Sequence, residues 1–217
     1  MFHNQLIQNT ISFVKQTLAN AEGGHDWFHI ERVWKNAILI ASEEKVDLEI
    51  VELAALLHDI ADSKFHRGDE EIGPHTARKF LEAQGLKQDR IQQVVDIVRH
   101  ISFKGGNENL GYNSPELSVV QDADRLDAIG AIGIARAFNY GGFKARGIYD
   151  PDILPNLSMS KEEYKNSSSP TLNHFYEKLL LLADRMNTVT GKKLAKKRHR
   201  FLEKFLEQFY KEWEGRS

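Results

Sequence analysis

The sequence predicts an all-α protein, and three observations carry that prediction. Apolar residues recur at spacings of three and four along almost the whole chain, as in Leu6, Ile7, Ile11, Val14 and Leu18. No segment shows a convincing period of two, the mark of a half-buried strand. Two Ser-Pro pairs, Ser114-Pro115 and Ser169-Pro170, precede apolar-periodic runs. Each reads as an N-cap followed by proline at the first helical position, where the missing N–H costs nothing.

Taken in order, the first helix carries the Leu6 to Leu18 face and stops at Glu22-Gly23-Gly24. Asp26 caps a second, whose inward face holds Ile30, Val33, Ala37, Ile40 and Ala41. Asp47 caps a third, which ends in the apolar run Leu53-Ala54-Ala55-Leu56-Leu57. A fourth spans about Asp69 to Gln84, with Gly85 as the residue that ends it. A fifth holds Ile91, Val94, Val95 and Val98 before His100. Ser114-Pro115 opens a helix through QDADRLDAIG and on to Tyr140. Ser169-Pro170 opens another carrying Leu172, Phe175, Leu179, Ala183 and Met186. Thr190 begins the last, with Leu194, Phe201, Leu202, Phe205 and Phe209 inward.

The chain has 217 residues, 41% apolar and 28% charged, enough for one substantial core. It reads as a single domain over 1–217: a helical core over about 20–140, a long lid-like loop over 141–169 and C-terminal helices over 170–215. A net charge of -2 argues against a generic nucleic-acid or membrane-surface binder. No apolar run approaches the roughly 20 residues that span a bilayer. MFHNQLIQNTISF lacks the basic and apolar regions of a signal peptide. With these features, the absence of cysteine fits a cytoplasmic protein. The basic run from Lys192-Lys193 to Arg200 is followed by Glu203 and Glu207, so a solvated helix face is its better reading.

Nine histidines and no cysteine mean that any transition-metal site must use imidazole and carboxylate. The apolar end of the third helix delivers His58 and Asp59 side by side, with Asp62 just beyond. Neighbours on a helix diverge by about 100°, so His58 and Asp59 grip an ion between them near the helix end rather than from one face. His29 and Asp124 arrive from other helices. Two neutral imidazoles and two carboxylates suit one divalent ion such as Mn²⁺, Fe²⁺, Co²⁺ or Ni²⁺, with Mg²⁺ and Zn²⁺ also admissible. Such a site leaves room for an acidified water and a polarised phosphoryl oxygen, the needs of hydrolysis.

His29, LLHDIAD and DADRLDAIG together resemble the HD-domain metal-dependent phosphohydrolase superfamily, whose ordered signature is a histidine, a histidine–aspartate doublet and a later aspartate. HISFKGG, ARAFNYGGFKARGIYDP and the stretch from NHFYEKLL to KRHRFLEKFLEQFYKEW are similar to the small bacterial YedJ- or YpgQ-like members, so the resemblance covers nearly the whole chain. It implies that His29, His58, Asp59 and Asp124 bind the metal. Of Asp122 and Asp124, the family pattern selects the aspartate immediately before Arg125-Leu126. It further implies a proton-transfer role for Asp62.

Asp127, three residues after Asp124, either orients a ligand or pairs with a nearby arginine. Lys64, Lys104, Lys144 and Arg146 are candidates to take up phosphate charge, as is Lys178 from the resemblance. His100 is a candidate to line the pocket. His66, His75 and His100 raise the question of a second metal. Asp69 before Ile72-Gly73 stands where a dinuclear member would carry a histidine, which argues for one ion. His3, His25 and His199 read as ordinary surface residues. The expected substrate is a small phosphorylated molecule, foremost a (deoxy)nucleoside triphosphate cleaved to monophosphate and pyrophosphate. The rivals are a phosphomonoesterase or phosphodiesterase and a non-hydrolytic metal or nucleotide sensor. A homodimer is compatible with the sequence; a stable nucleic-acid or membrane partner is not expected.

Overall fold

A computed structural model of the chain describes residues 5–19, 26–61, 69–101, 111–160, 163 and 167–216. Among the described residues the regular structure is helical, with no strand: α1 (Gln5–Thr17), α2 (Trp27–Ala41), α3 (Leu48–Leu57), α4 (Ile72–Ala83), α5 (Gln88–His100), α6 (Pro115–Asp127), α7 (Gly130–Phe143), α8 (Asn173–Glu177) and α9 (Val189–Trp213). Two single 3₁₀ turns, Leu179–Leu181 and Ala183–Arg185, lie between α8 and α9.

The helices gather in two units, Met1–Asp124 and Arg125–Ser217. In the first, α3 packs against α1, α2 and α5. Every residue from Leu53 to Leu57 is fully buried. A helix apolar all round is a surrounded helix, and each large side chain there contributes roughly 1.5–3 kcal/mol by leaving water. The caps are those the sequence announces. The Asp26 carboxylate accepts from the His29 backbone N–H, and that of Asp47 from Glu49 and Ile50. Arg90 grips the Asp47 cap at 2.8 and 3.0 Å, and its guanidinium holds that carboxyl below the usual range. The Leu117 N–H bonds to the Ser114 hydroxyl, as a helix opening at Pro115 requires. Gly85, at φ 73°, closes α4.

The fourth helix is shorter than its pattern. It opens at Ile72 because the Asp69 carboxylate takes the Glu71 N–H in a turn. The stop expected at Glu22-Gly23-Gly24 lies outside the described residues.

In the second unit α7 packs on α9 around Leu172, Phe175, Leu202 and Leu206. Four expectations are corrected here. The helix opened by Ser114-Pro115 does not continue to Tyr140 but ends at Asp127, and α7 begins at Gly130. Gly130 sits at φ 76°, and a side chain there would meet the stem of Arg198 at 3.1 Å. That arginine occupies the notch and donates to the Leu126 carbonyl. The run after Pro170 is broken rather than one helix. The backbone N–H groups of Thr171 and Leu172 bond to the carbonyls of Gly147 and Ile148, helix begins at Asn173, and it stops at Glu177, where Lys178 leaves helical geometry at φ -144° and ψ -55°. The 3₁₀ turns then bring Leu179 and Leu182 to one face, as a period of three allows. The last helix starts one residue earlier than Thr190, at Val189, with Thr188 as its cap. Phe201 on it is half-exposed, while Leu202 is buried.

The long segment before α8 begins at Lys144, because α7 runs through Phe143. It is fastened at several points: Arg146 donates to the Ser167 carbonyl at 2.6 Å, and Asn173 to that of Ile153 at 2.9 Å. No helix among the described residues is long and apolar enough to cross a membrane.

Candidate metal centre

His29 sits in the first turn of α2, where the Asp26 cap fixes its backbone, and its ring is buried. His58 is the residue on which α3 ends. Its Nδ1 lies 2.8 Å from the Ala55 carbonyl. A carbonyl only accepts, so Nδ1 carries the proton and Nε2 keeps a lone pair. That Nε2 is buried and has no hydrogen-bond partner among the described residues. An orphaned buried acceptor costs free energy unless something electropositive meets it.

The lone pair faces company of the right kind. Ligand atoms of His29, His58 and Asp59 all lie within 4.8 Å of one another. Asp59 Oδ2 is 3.8 Å from His29 Nε2 and 4.0 Å from His58 Nε2. The two rings stand edge to face at 69°, so their nitrogens converge without stacking. Two atoms each about 2.1 Å from one ion are at most about 4.2 Å apart, and both aspartate separations fall inside that limit. The donor set fits a divalent ion.

Asp124 reaches this set through His29, with Oδ1 3.6 Å from the same Nε2. Its helix is docked by Asn36, whose buried amide donates to the Ala123 carbonyl at 3.4 Å. Asn36 is seven residues after His29, two turns along the same face of α2. One helix face thus supplies an imidazole and the anchor for the next carboxylate. Asp122 is fully buried, whereas Asp124 is half-exposed.

The remaining expected residues are placed as follows. Asp62, Lys64, His66 and Lys104 lie outside the described residues, as do His3 and His25. Asp127 is buried and ion-paired to Arg136. Burial lowers the pKa of the nearby Arg198, while the charge of Asp127 opposes that. His100 closes α5 with its Nδ1 on the Asp96 carbonyl at 2.7 Å and its ring stacked on Tyr112. The nitrogen that keeps the lone pair is therefore also Nε2. His75 lines a cleft of about 410 Å³ with Asp69, Glu71, Arg78 and Arg99. His199 is half-buried and 3.5 Å from Glu203.

Lys144 lies 5.7 Å from the Tyr140 ring centre and 5.4 Å from that of Phe143, and Arg146 lies over Tyr140 as well. Sequence reasoning missed their neighbour His174. Burial first, then the charges of Lys178 and Arg146, push its imidazole down to about 3. The only sequence signal is its place four residues before Lys178.

Comparison with known proteins places this geometry in context. The HD domain family model matches residues 27–129, a span that contains all four converging residues. The Bacillus subtilis protein YpgQ is 37% identical over 94% of this chain and 92% of its own length. A crystal structure of an HD-superfamily hydrolase from Bacillus thuringiensis is 44% identical, covers 97% of both chains and superposes with a TM-score of 0.78. The crystal structure of Bacillus subtilis YpgQ in complex with ADP covers 97% of this chain and superposes with a TM-score of 0.74 at 33% identity.

Proposed function

This chain belongs to the HD-domain hydrolase family, and on that premise we propose that it is a metal-dependent phosphohydrolase that cleaves a (deoxy)nucleoside triphosphate to the monophosphate and pyrophosphate. The observation that carries the reading is the buried Nε2 of His58, without a hydrogen-bond partner among the described residues and close to His29 and Asp59. His29, His58, Asp59 and Asp124 hold the ion. A divalent ion in such a place supplies an acidified water and a positive pole for a phosphoryl oxygen. The ADP complex of YpgQ supports a nucleotide as the substrate class.

The chain's own residues do the rest. The Ala55 carbonyl keeps His58 in the tautomer that presents Nε2. Asp59 and Asp124 bring two negative charges to a cation of two positive ones, so the phosphate charge must be met elsewhere. Lys64, Lys104, Lys144, Arg146 and Lys178 meet it, the long side chains acting where charge develops on the departing pyrophosphate. Asp62 moves a proton to or from the attacking oxygen, and His100 contacts substrate through Nε2.

The test is product analysis with metal-stripped protein given Mn²⁺, Mg²⁺, Co²⁺ or Ni²⁺ separately, against nucleoside triphosphates, monophosphates and a generic phosphodiester. Metal-dependent pyrophosphate release, absent in His58→Ala, is the expected result. Orthophosphate from monophosphates, or diester cleavage alone, replaces the reaction; metal bound with no turnover favours a sensor.

A further inference from the structure

His58 and His100 share a device. Each stands where a helix ends, and each rests its Nδ1 on a carbonyl of the preceding turn: Ala55 at 2.8 Å for His58, Asp96 at 2.7 Å for His100. A carbonyl only accepts, so each neutral ring carries its proton on Nδ1 and keeps a lone pair on Nε2. The lone pair of His58 faces His29 and Asp59. His100 is not in the group whose ligand atoms converge within 4.8 Å, so its lone pair has another use.

The His100 ring is fixed from two sides. Besides the bond to Asp96, Tyr112 stacks on it, with centroids 5.4 Å apart and planes within 25°. Gln121 donates to the His100 carbonyl at 3.2 Å and so fastens the end of α5 to α6. Gln121 stands three residues before Asp124, one turn away on the same face of that helix. Both are half-buried, whereas Asp122 and Ala123 between them are fully buried, so this face of α6 is within reach of solvent. The end of α5 is thereby seated about one helical turn from the last carboxylate of the metal set. All of these residues lie in the first unit.

What such a nitrogen takes is set by its lone pair. The phosphoryl oxygens of a nucleotide are ionised acceptors, so a neutral Nε2 gains no hydrogen bond from them. The hydroxyls of the sugar do offer a hydrogen. The sugar is also the group joined directly to the α-phosphate, which the release of pyrophosphate leaves in the monophosphate. A residue seated one turn from a metal ligand therefore meets the sugar before it meets the base.

We infer that His100 Nε2 accepts a hydrogen bond from a hydroxyl of the substrate's pentose, and that Tyr112 positions the ring for it. The inference rests on the nucleotide reading of the site and names the part of the nucleotide that His100 reads. Tyr112 acts through the imidazole.

The test is calorimetric binding of ADP and of 2′,3′-dideoxy-ADP, which lacks both sugar hydroxyls, to the Mn²⁺-loaded protein. ADP lacks the pyrophosphate leaving group of the proposed reaction, so affinity is read without turnover. The wild type is expected to bind ADP about tenfold more tightly, the scale of one hydrogen bond whose acceptor loses its donor. His100→Phe keeps a ring against Tyr112 and removes the acceptor. It is expected to bind both nucleotides alike, at the wild-type affinity for the dideoxy form. His100→Gln, whose amide oxygen accepts, is expected to restore part of the preference. Tyr112→Leu is expected to narrow the preference to about threefold, the cost of ordering a side chain that its neighbour no longer holds, with Mn²⁺ affinity unchanged.

Equal wild-type affinity for the two nucleotides overturns the inference and leaves the nucleotide reading standing. A preference for ADP that survives intact in His100→Phe overturns it as well. Failure of both nucleotides to bind the Mn²⁺-loaded wild type removes the nucleotide reading and the inference with it. The wild-type comparison needs no substitution, so a variant that does not fold leaves the inference open to refutation.

Discussion

At the scale of single residues, His58 gives the sharpest prediction. Replacing it with alanine removes the buried Nε2, and Mn²⁺ affinity should fall by more than the roughly 10–100-fold typical of outer partners. Turnover should vanish with it; retained turnover contradicts the mechanism. His174 gives a prediction with a definite sign. Its folded pKa of about 3 lies below the ordinary value of 6.5. Between those values the unfolded chain binds the proton and the folded one does not. Stability from this group is therefore complete above pH 6.5 and is lost as pH falls toward 3. The slope reaches about 1.4 kcal/mol per pH unit. Urea unfolding from pH 7 to 4.5 should show the wild type losing stability faster than His174→Gln; parallel curves would refute the assignment. His58 and Asp59 were legible as a doublet after an apolar run, a local pattern, whereas His29 and the choice of Asp124 over Asp122 came from the family resemblance. His174, Asn36 and Arg198 were not, because what each meets is brought from far along the chain.

At the scale of elements, one position on α7 and one just beyond its end test how the helix is seated. A side chain at Gly141 would lie 2.1 Å from the Thr171 hydroxyl. Gly141→Ala should cost about 1–3 kcal/mol by denaturant unfolding, the range for overpacking, and a neutral result would show that α7 is not held against Thr171. At the end of the same helix Ala145 adopts φ 51°, where glycine is the usual residue. The N–H of Ala145 bonds to the Gly142 carbonyl and that of Arg146 to the Gly141 carbonyl, the pair of hydrogen bonds of a left-handed helix stop. Ala145→Gly should raise stability by about 1 kcal/mol, the steric cost of a Cβ in that region; a lower melting temperature would contradict this. The caps at Asp26, Asp47 and Ser114 were readable because a capping side chain acts within three residues. The break after Asp127 was not, since it depends on Arg198 filling the Gly130 notch from 68 residues on. The helix expected through Met186 stops at Glu177, where Lys178 leaves helical geometry at φ -144° and ψ -55°, a break that apolar periodicity does not register.

For the molecule as a whole, the account makes the ion part of folding stability, because its donors assemble only in the native chain. Manganese at one hundred times its dissociation constant should stabilise the wild type by about 2.7 kcal/mol. His58→Ala should show no such gain, and equal gains in both would place the ion elsewhere. The all-α class followed from periodicity alone, and the family from a signature matched over residues 27–129. The measurement that tests the central claim most directly is anomalous diffraction at the manganese edge from crystals grown with Mn²⁺. The account predicts one peak about 2.1–2.3 Å from His29 Nε2, His58 Nε2 and a carboxylate oxygen of Asp59, with Asp124 completing the set. A peak away from these side chains, or none at saturating metal, would contradict it.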